Sequence, residues 1–150
     1  MADVNDDLQG QNAVTIRSTE SRGRHIICSS FITKGSVIGR IPVVVVPQDE
    51  VELLRKTMLF NYVFEWDPAE RYKITKDLAQ CDLRYHQGIA LGPISLCNHS
   101  YEPNSDYEFD YVGSNLIWRA LKDIRQGDEV TIHYKVPIWF QIDEKPAAAT

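Results

Sequence analysis

Apolar residues in this chain gather in short β-branched and aromatic runs that end at turn signals, and one stretch alone carries helical spacing. This pattern restricts the fold strongly, because a period of two along the chain cannot be laid out as a helix bundle. Ala13 to Ser18 alternates, and His25 to Ser29 and Ser36 to Ile41 are β-rich, with Lys34-Gly35 marking the turn between them. Val43-Val44-Val45-Val46 runs into Pro47 and predicts a strand buried on both faces. Further along, Asp106 to Tyr111 alternates acids with aromatics, Asn115 to Leu121 is β-like, and Glu129 to Tyr134 follows the Gln126-Gly127 turn.

The helical stretch starts after Pro47. Asp49 is placed to cap it, Glu50 and Glu52 suit a first turn, and Val51, Leu54, Met58 and Tyr62 are spaced as one core-facing stripe. Residues 66 to 88 are polar and mixed, which predicts an irregular excursion. Many short strands with one main helix predict an α+β, strand-dominated fold. With 150 residues, 43% of them hydrophobic, the chain can bury one core. The expected layout is a folded domain over 13–142 between disordered tails at 1–12 and 143–150.

Charge and composition narrow the function. Sixteen basic against 21 acidic residues give a net charge of -5, which argues against direct nucleic-acid binding and suits a basic partner. No run reaches the ~20 apolar residues of a membrane span, and the acidic start Met1-Ala2-Asp3 is unlike a signal peptide, so an intracellular, cytoplasmic protein is expected. Cys28, Cys81 and Cys97 form no CxxC pair and read as reduced packing residues. Cys97 and His99, two apart, could be read as a hydrolase pair, but that spacing supplies no orienting third group. Cys81, His86, Cys97 and His99 carry metal-ligating side chains in no familiar ligand spacing, so no metal is expected.

The chemistry-bearing residues take on meaning together. Ala90-Leu-Gly-Pro-Ile-Ser-Leu-Cys-Asn98-His99-Ser100-Tyr-Glu-Pro103-Asn104 resembles the SET-domain pattern in which a Leu-Gly strand leads into Asn-His-Ser-x-x-Pro-Asn. Ala120 to Tyr134, with Ile124, Gly127, Glu129 and Thr131, resembles the second SET motif at the expected distance, and Ser21 to Ile38 resembles the N-terminal one. The likeness covers residues 14 to 140 and is strongest to the short stand-alone SET proteins of viruses and bacteria.

That resemblance implies several small β-sheets around a C-terminal pseudoknot that brings Asn98-His99 beside Tyr134. It implies transfer of a methyl group from S-adenosylmethionine to the ε-amine of a lysine in a basic, histone-like protein or peptide, with S-adenosylhomocysteine as product. Carried over residue by residue, Tyr134 is the catalytic tyrosine and Tyr62 its helper. Gly23, Arg24, His25, Asn98, His99 and Trp139 hold the cofactor, with His99 acting largely through its backbone. Leu91, Gly92 and Ile132 line the lysine channel. No zinc-binding cysteine cluster follows Tyr134, so Trp139 and Phe140 are expected to close the site. A homodimer is compatible with the short relatives, and a histone substrate would place the protein on chromatin.

Three positions depart from the family pattern. His25 stands where a second glycine is usual, and His133 and Lys135 replace the Asp and Gly that flank the tyrosine. A histidine beside Tyr134 predicts activity that depends on pH between about 5 and 8. The same departures support a second reading, a SET-like domain with weak or lost catalysis that serves as a binding module. The acidic residues Glu102, Asp106, Glu108 and Asp110 predict an edge strand able to attract a basic peptide.

Overall fold

Turn chemistry sets the frame. Gly127 takes φ +91°, a conformation other residues rarely adopt, and its N–H reaches the Cys28 carbonyl at 2.8 Å, so the turn docks on an early strand as it forms. The computed structural model describes residues 11–67 and 86–135. Strands β1 (Val14–Thr19) and β2 (Gly23–Cys28) form an antiparallel hairpin with Val14 opposite Cys28 and Ile16 opposite Ile26. β3 (Val37–Val46), β4 (Val63–Trp66), β5 (His86–Ala90), β7 (Ser105–Asp110) and β8 (Asn115–Ala120) make a five-stranded sheet in the order β4-β5-β3-β8-β7. The third sheet is a two-residue parallel pair, β6 (Asn98–His99) with β9 (Thr131–Ile132). This is the α+β, strand-dominated fold of small sheets with one α-helix among the described residues.

The two valine- and isoleucine-rich runs expected as separate strands are one, β3, continuous through Pro42. Proline in a central strand would normally remove a ladder bond. Here Pro42 sits where the pairing changes hands: residues up to Pro42 face β8, with Pro42 opposite Asn115, and Val43 to Val46 face β5, with Val43 opposite Ala90. The Pro42 carbonyl still accepts from the Leu91 N–H at 2.9 Å. The expectation that the valine run is buried on both faces is corrected. Val43 is 8% exposed and Val44 49%, so the run alternates, with its outer face open to solvent at Val44.

Helix α1 (Gln48–Arg55) buries Val51 and Leu54 as its stripe predicts. Asp49 lies inside the first turn, where its charge favours the helix dipole, while Pro47 occupies the capping position. The stripe stops at Leu54. The chain tightens into a 3-10 turn over Met58–Tyr62, which breaks the 3.6-residue period and leaves Met58 74% exposed. Of the stretch expected to be irregular, Trp66 belongs to β4 and His86 to β5, and 68–85 lies outside the described residues.

The core draws inward residues from all three sheets, among them Ile26, Ile38, Ile41, Leu116, Trp118 and Ile132, and from the connecting segments at Ile94, Ile124 and Val130, all of them fully buried. Trp118 connects the layers through hydrogen bonds as well as packing. Its indole N–H donates to Ser105 Oγ at 2.9 Å, and that hydroxyl donates to the Thr131 carbonyl at 2.8 Å, joining β8, β7 and β9. Residues 127–130 also run beside β2, with Cys28 N–H on the Asp128 carbonyl and Val130 N–H on the Ile26 carbonyl, both at 2.8 Å. None of the described helices is long and apolar enough to cross a membrane.

Candidate active site

Asn98 and His99 meet the second motif because β6 and β9 pair in parallel, Asn98 opposite Thr131 and His99 opposite Ile132, extended by Ser100 N–H on the Ile132 carbonyl at 2.9 Å. Two residues per strand are too few to hold such a pair alone. Asn104 supplies the rest: its Oδ1 accepts from the Thr131 N–H at 2.9 Å and its Nδ2 donates to the Glu129 carbonyl at 2.7 Å. The role of Asn104 is therefore to peg the second motif to the first.

Tyr134 follows directly. Its hydroxyl donates to the Cys97 carbonyl at 2.8 Å, and its backbone N–H donates to His99 Nδ1 at 2.9 Å. Burial, with smaller pushes from Cys97 and Tyr62, raises the phenol to about 12, so it is un-ionised at neutral pH. Tyr62, half-buried at the end of the 3-10 turn, lies near enough to act on that titration.

A second tyrosine shares this environment. Tyr107, inward-facing on β7 and 5% exposed, meets Phe64 edge-on at 5.1 Å and Phe109 at 5.5 Å. Burial first, and the Asp106 carboxylate second, push its hydroxyl far above the ordinary phenol range. Lys135 lies over its ring, with Nζ 4.3 Å from the centroid, 2.8 Å from the Tyr107 carbonyl and 3.0 Å from Asp106 Oδ1. The sequence marks Tyr107 only as an inward ring of an alternating strand, and its spacing of three after Asn104 is the available signal for more.

The hairpin brings the third motif in. Gly23 has φ +63°, and a Cβ placed on it would meet nothing within 4 Å, so its backbone borders open space. Arg24 is exposed. His25 is buried with Nδ1 3.0 Å from the Gly23 carbonyl, its ring folded against its own strand. Arg22 pairs with Glu129 Oε2, and Glu129 Oε1 accepts from Asn98 Nδ2 at 2.7 Å. One half-buried carboxylate thus ties the Gly23 turn to Asn98, a role the sequence does not announce.

The expected channel residues are placed differently from one another. Leu91 is 60% exposed at the end of β5, and Gly92 is backed by Ile41, whose side chain would come within 2.9 Å of an added Cβ. Ile132 is 1% exposed and packs in the core. Trp139 lies outside the described residues. Cys97 is buried beside Glu129, and desolvation pushes its thiol well up, which leaves no thiolate for a hydrolase reaction. His99 Nδ1 is turned to Tyr134 rather than to Cys97.

The SET-domain family model matches residues 23–135. The chain belongs to the SET-domain family. The match begins at Gly23 and ends one residue after Tyr134. Among curated proteins this SET domain is 26% identical over 140 residues to the histone-lysine N-methyltransferase, H3 lysine-37 specific, of Schizosaccharomyces pombe, covering 93% of this chain and 84% of that one. A 48-residue stretch is 48% identical to human histone-lysine N-methyltransferase SMYD3, covering 31% of this chain and 11% of SMYD3. Two solved structures share the fold at a TM-score of 0.60 each. They are Plasmodium falciparum PFL0690c, at 21% identity with 85% of this chain and 97% of that one covered, and the Neurospora SET domain protein DIM-5, a histone lysine methyltransferase, at 22% identity with 86% and 54% covered.

Proposed function

We propose that this SET domain transfers a methyl group from S-adenosylmethionine to the ε-amine of a lysine in a basic protein, with Tyr134 at the transfer site. The observation that carries the reading is Tyr134 held at both ends, its hydroxyl on the Cys97 carbonyl and its backbone N–H on His99 Nδ1. The residues suit a cofactor with a charged amino-acid end. Gly23 borders open space, Arg24 is an exposed cation for a carboxylate, and the Arg22-Glu129-Asn98 link holds this turn beside the nucleoside-binding candidates Asn98 and His99. When bound, the cofactor supplies an electrophilic methyl on a sulfonium.

The protein's part is alignment and desolvation. A hydroxyl that donates to the Cys97 carbonyl keeps its own oxygen as an acceptor, which is the polarity needed to hold and orient an amine. Lysine enters as an ammonium of pKa about 10.4 and must attack as the free amine. Un-ionised Tyr134 and Tyr107, with Tyr62 and Phe64 beside them, provide a low-dielectric wall that favours the uncharged form. Leu91 and Gly92 stand at the rim as candidate channel residues. Of the three departures that favour an inactive binding module, His25, His133 and Lys135, His25 leaves the open side of Gly23 clear, which supports the active reading.

Incubation with methyl-labelled cofactor and core histones tests the proposal. Label recovered on lysine is expected, and label no greater than with heat-inactivated protein on histones and other basic proteins would reject it.

A further inference from the structure

The His99 side chain does more than the backbone role its motif implies. Its Nδ1 accepts the backbone N–H of Tyr134 at 2.9 Å. An N–H can only donate, so this nitrogen must carry a lone pair, and the ring proton belongs on Nε2. The last ladder bond of β6 and β9 is Ser100 N–H on the Ile132 carbonyl, so the imidazole is the next support for the chain as it enters Tyr134. Beyond Tyr134 the chain is held at Lys135 by Asp106 and the Tyr107 carbonyl. A proton on Nδ1 removes the acceptor and sets two donors against each other.

The ring does not stand alone. Tyr101, from the segment after β6, meets it edge-on with centroids 4.7 Å apart; from the segment after β9, His133 lies at 4.8 Å and Tyr134 at 5.3 Å. Among the described residues these are the titratable rings packed on His99. Of the neighbouring charges, Glu129 is engaged by Arg22 and Asn98, and Lys135 by Asp106, while Glu102 is exposed beyond Tyr101. His133 is exposed, so the ring cluster reaches solvent on that side.

We infer that His99 is a positioning residue: its neutral imidazole fixes the Tyr134 backbone, and protonation of that imidazole releases Tyr134 and shuts down methyl transfer. This rests on the methyltransferase reading for its consequence and on geometry alone for its cause. It differs from a simple effect of His133, because the acceptor that is lost belongs to His99.

Two measurements test it. The rate of methyl transfer is followed from pH 5 to 8 for the parent and for His99→Asn, whose amide oxygen can replace Nδ1 as an acceptor but does not titrate. With each profile normalised to its own plateau, the parent falls about tenfold per pH unit on the acid side and His99→Asn stays flat. An acid limb of the same midpoint in His99→Asn overturns the inference. In the parent, the Tyr134 amide resonance is followed by NMR over the same range without cofactor or substrate. It is expected to move with the His99 ring resonances, and an amide that stays still while the His99 ring titrates, or a His99 ring that stays neutral throughout, overturns the inference equally. The NMR result stands whether or not methyl transfer is found, so failure of the enzymatic reading and failure of the His99 role are told apart.

Discussion

At Tyr134 the decisive fact is a proton that stays in place. Burial raises its pKa to about 12, above the ~10 of a phenol in an unfolded chain, so the folded state favours the protonated form. The stability this contributes is complete below about pH 10 and is lost as pH rises through about 12. Spectroscopic titration of the parent against Tyr134→Phe should show no phenolate from this residue at pH 10; phenolate at the ordinary midpoint would contradict the burial. Glu129 gives a second prediction at this scale. Replacing it with Ala removes the carboxylate that joins Arg22 to Asn98 and should weaken S-adenosylmethionine binding about tenfold by calorimetry, roughly 1.4 kcal/mol. Unchanged affinity would place the cofactor away from this link. Asn98, His99 and Tyr134 were legible as residues because their motifs are specific. Glu129, Asn104 and Tyr107 were not assigned roles, since each acts through a partner roughly 20 or more residues away that no local pattern reveals.

Among the elements, those fixed by local chemistry were readable. Strands β1, β2, β7 and β8 follow from alternation and turn residues, whereas the pairing of β1 with β2 had no turn signal of its own in the sequence. The extent of the helical stripe was not, because Met58 continues the count of 3.6 while the backbone has already tightened after Arg55. Leu54→Ala should therefore cost about 2–5 kcal/mol and Met58→Ala less than about 0.5 kcal/mol in denaturant unfolding, and equal losses would contradict the break. β6 escapes any reading of strand propensity, being two residues, and of the strand expected over Glu129 to Tyr134 only Thr131–Ile132 pairs, as β9. Their pairing depends on Asn104. Asn104→Ala leaves the Thr131 N–H and the Glu129 carbonyl without this partner and should destabilise the protein by about 2–4 kcal/mol, with a normal m-value. A loss within about 0.5 kcal/mol would show that the parallel pair holds itself.

The whole molecule is held by contacts between distant parts of the chain: β2 against 127–130, β6 against β9, and Trp118 through Ser105 to Thr131. The fold class was legible because the three motifs occur in the right order and span 23–135. The joining of the sheets was not, since nothing in β3 signals that Pro42 hands its pairing from β8 to β5. The Gly23 turn, Asn98-His99 and Tyr134 are joined through Glu129 and the β6-β9 pair, and the proposed function assigns methyl transfer to Tyr134 and cofactor binding to the hairpin. Single-turnover methyl transfer by Tyr134→Phe, with S-adenosylmethionine affinity measured alongside, tests this directly. The structure predicts a rate lower by about a hundredfold with affinity little changed, as for loss of a positioned polar group at a reacting centre. A variant that transfers methyl as fast as the parent would contradict the placement of Tyr134 at the transfer site.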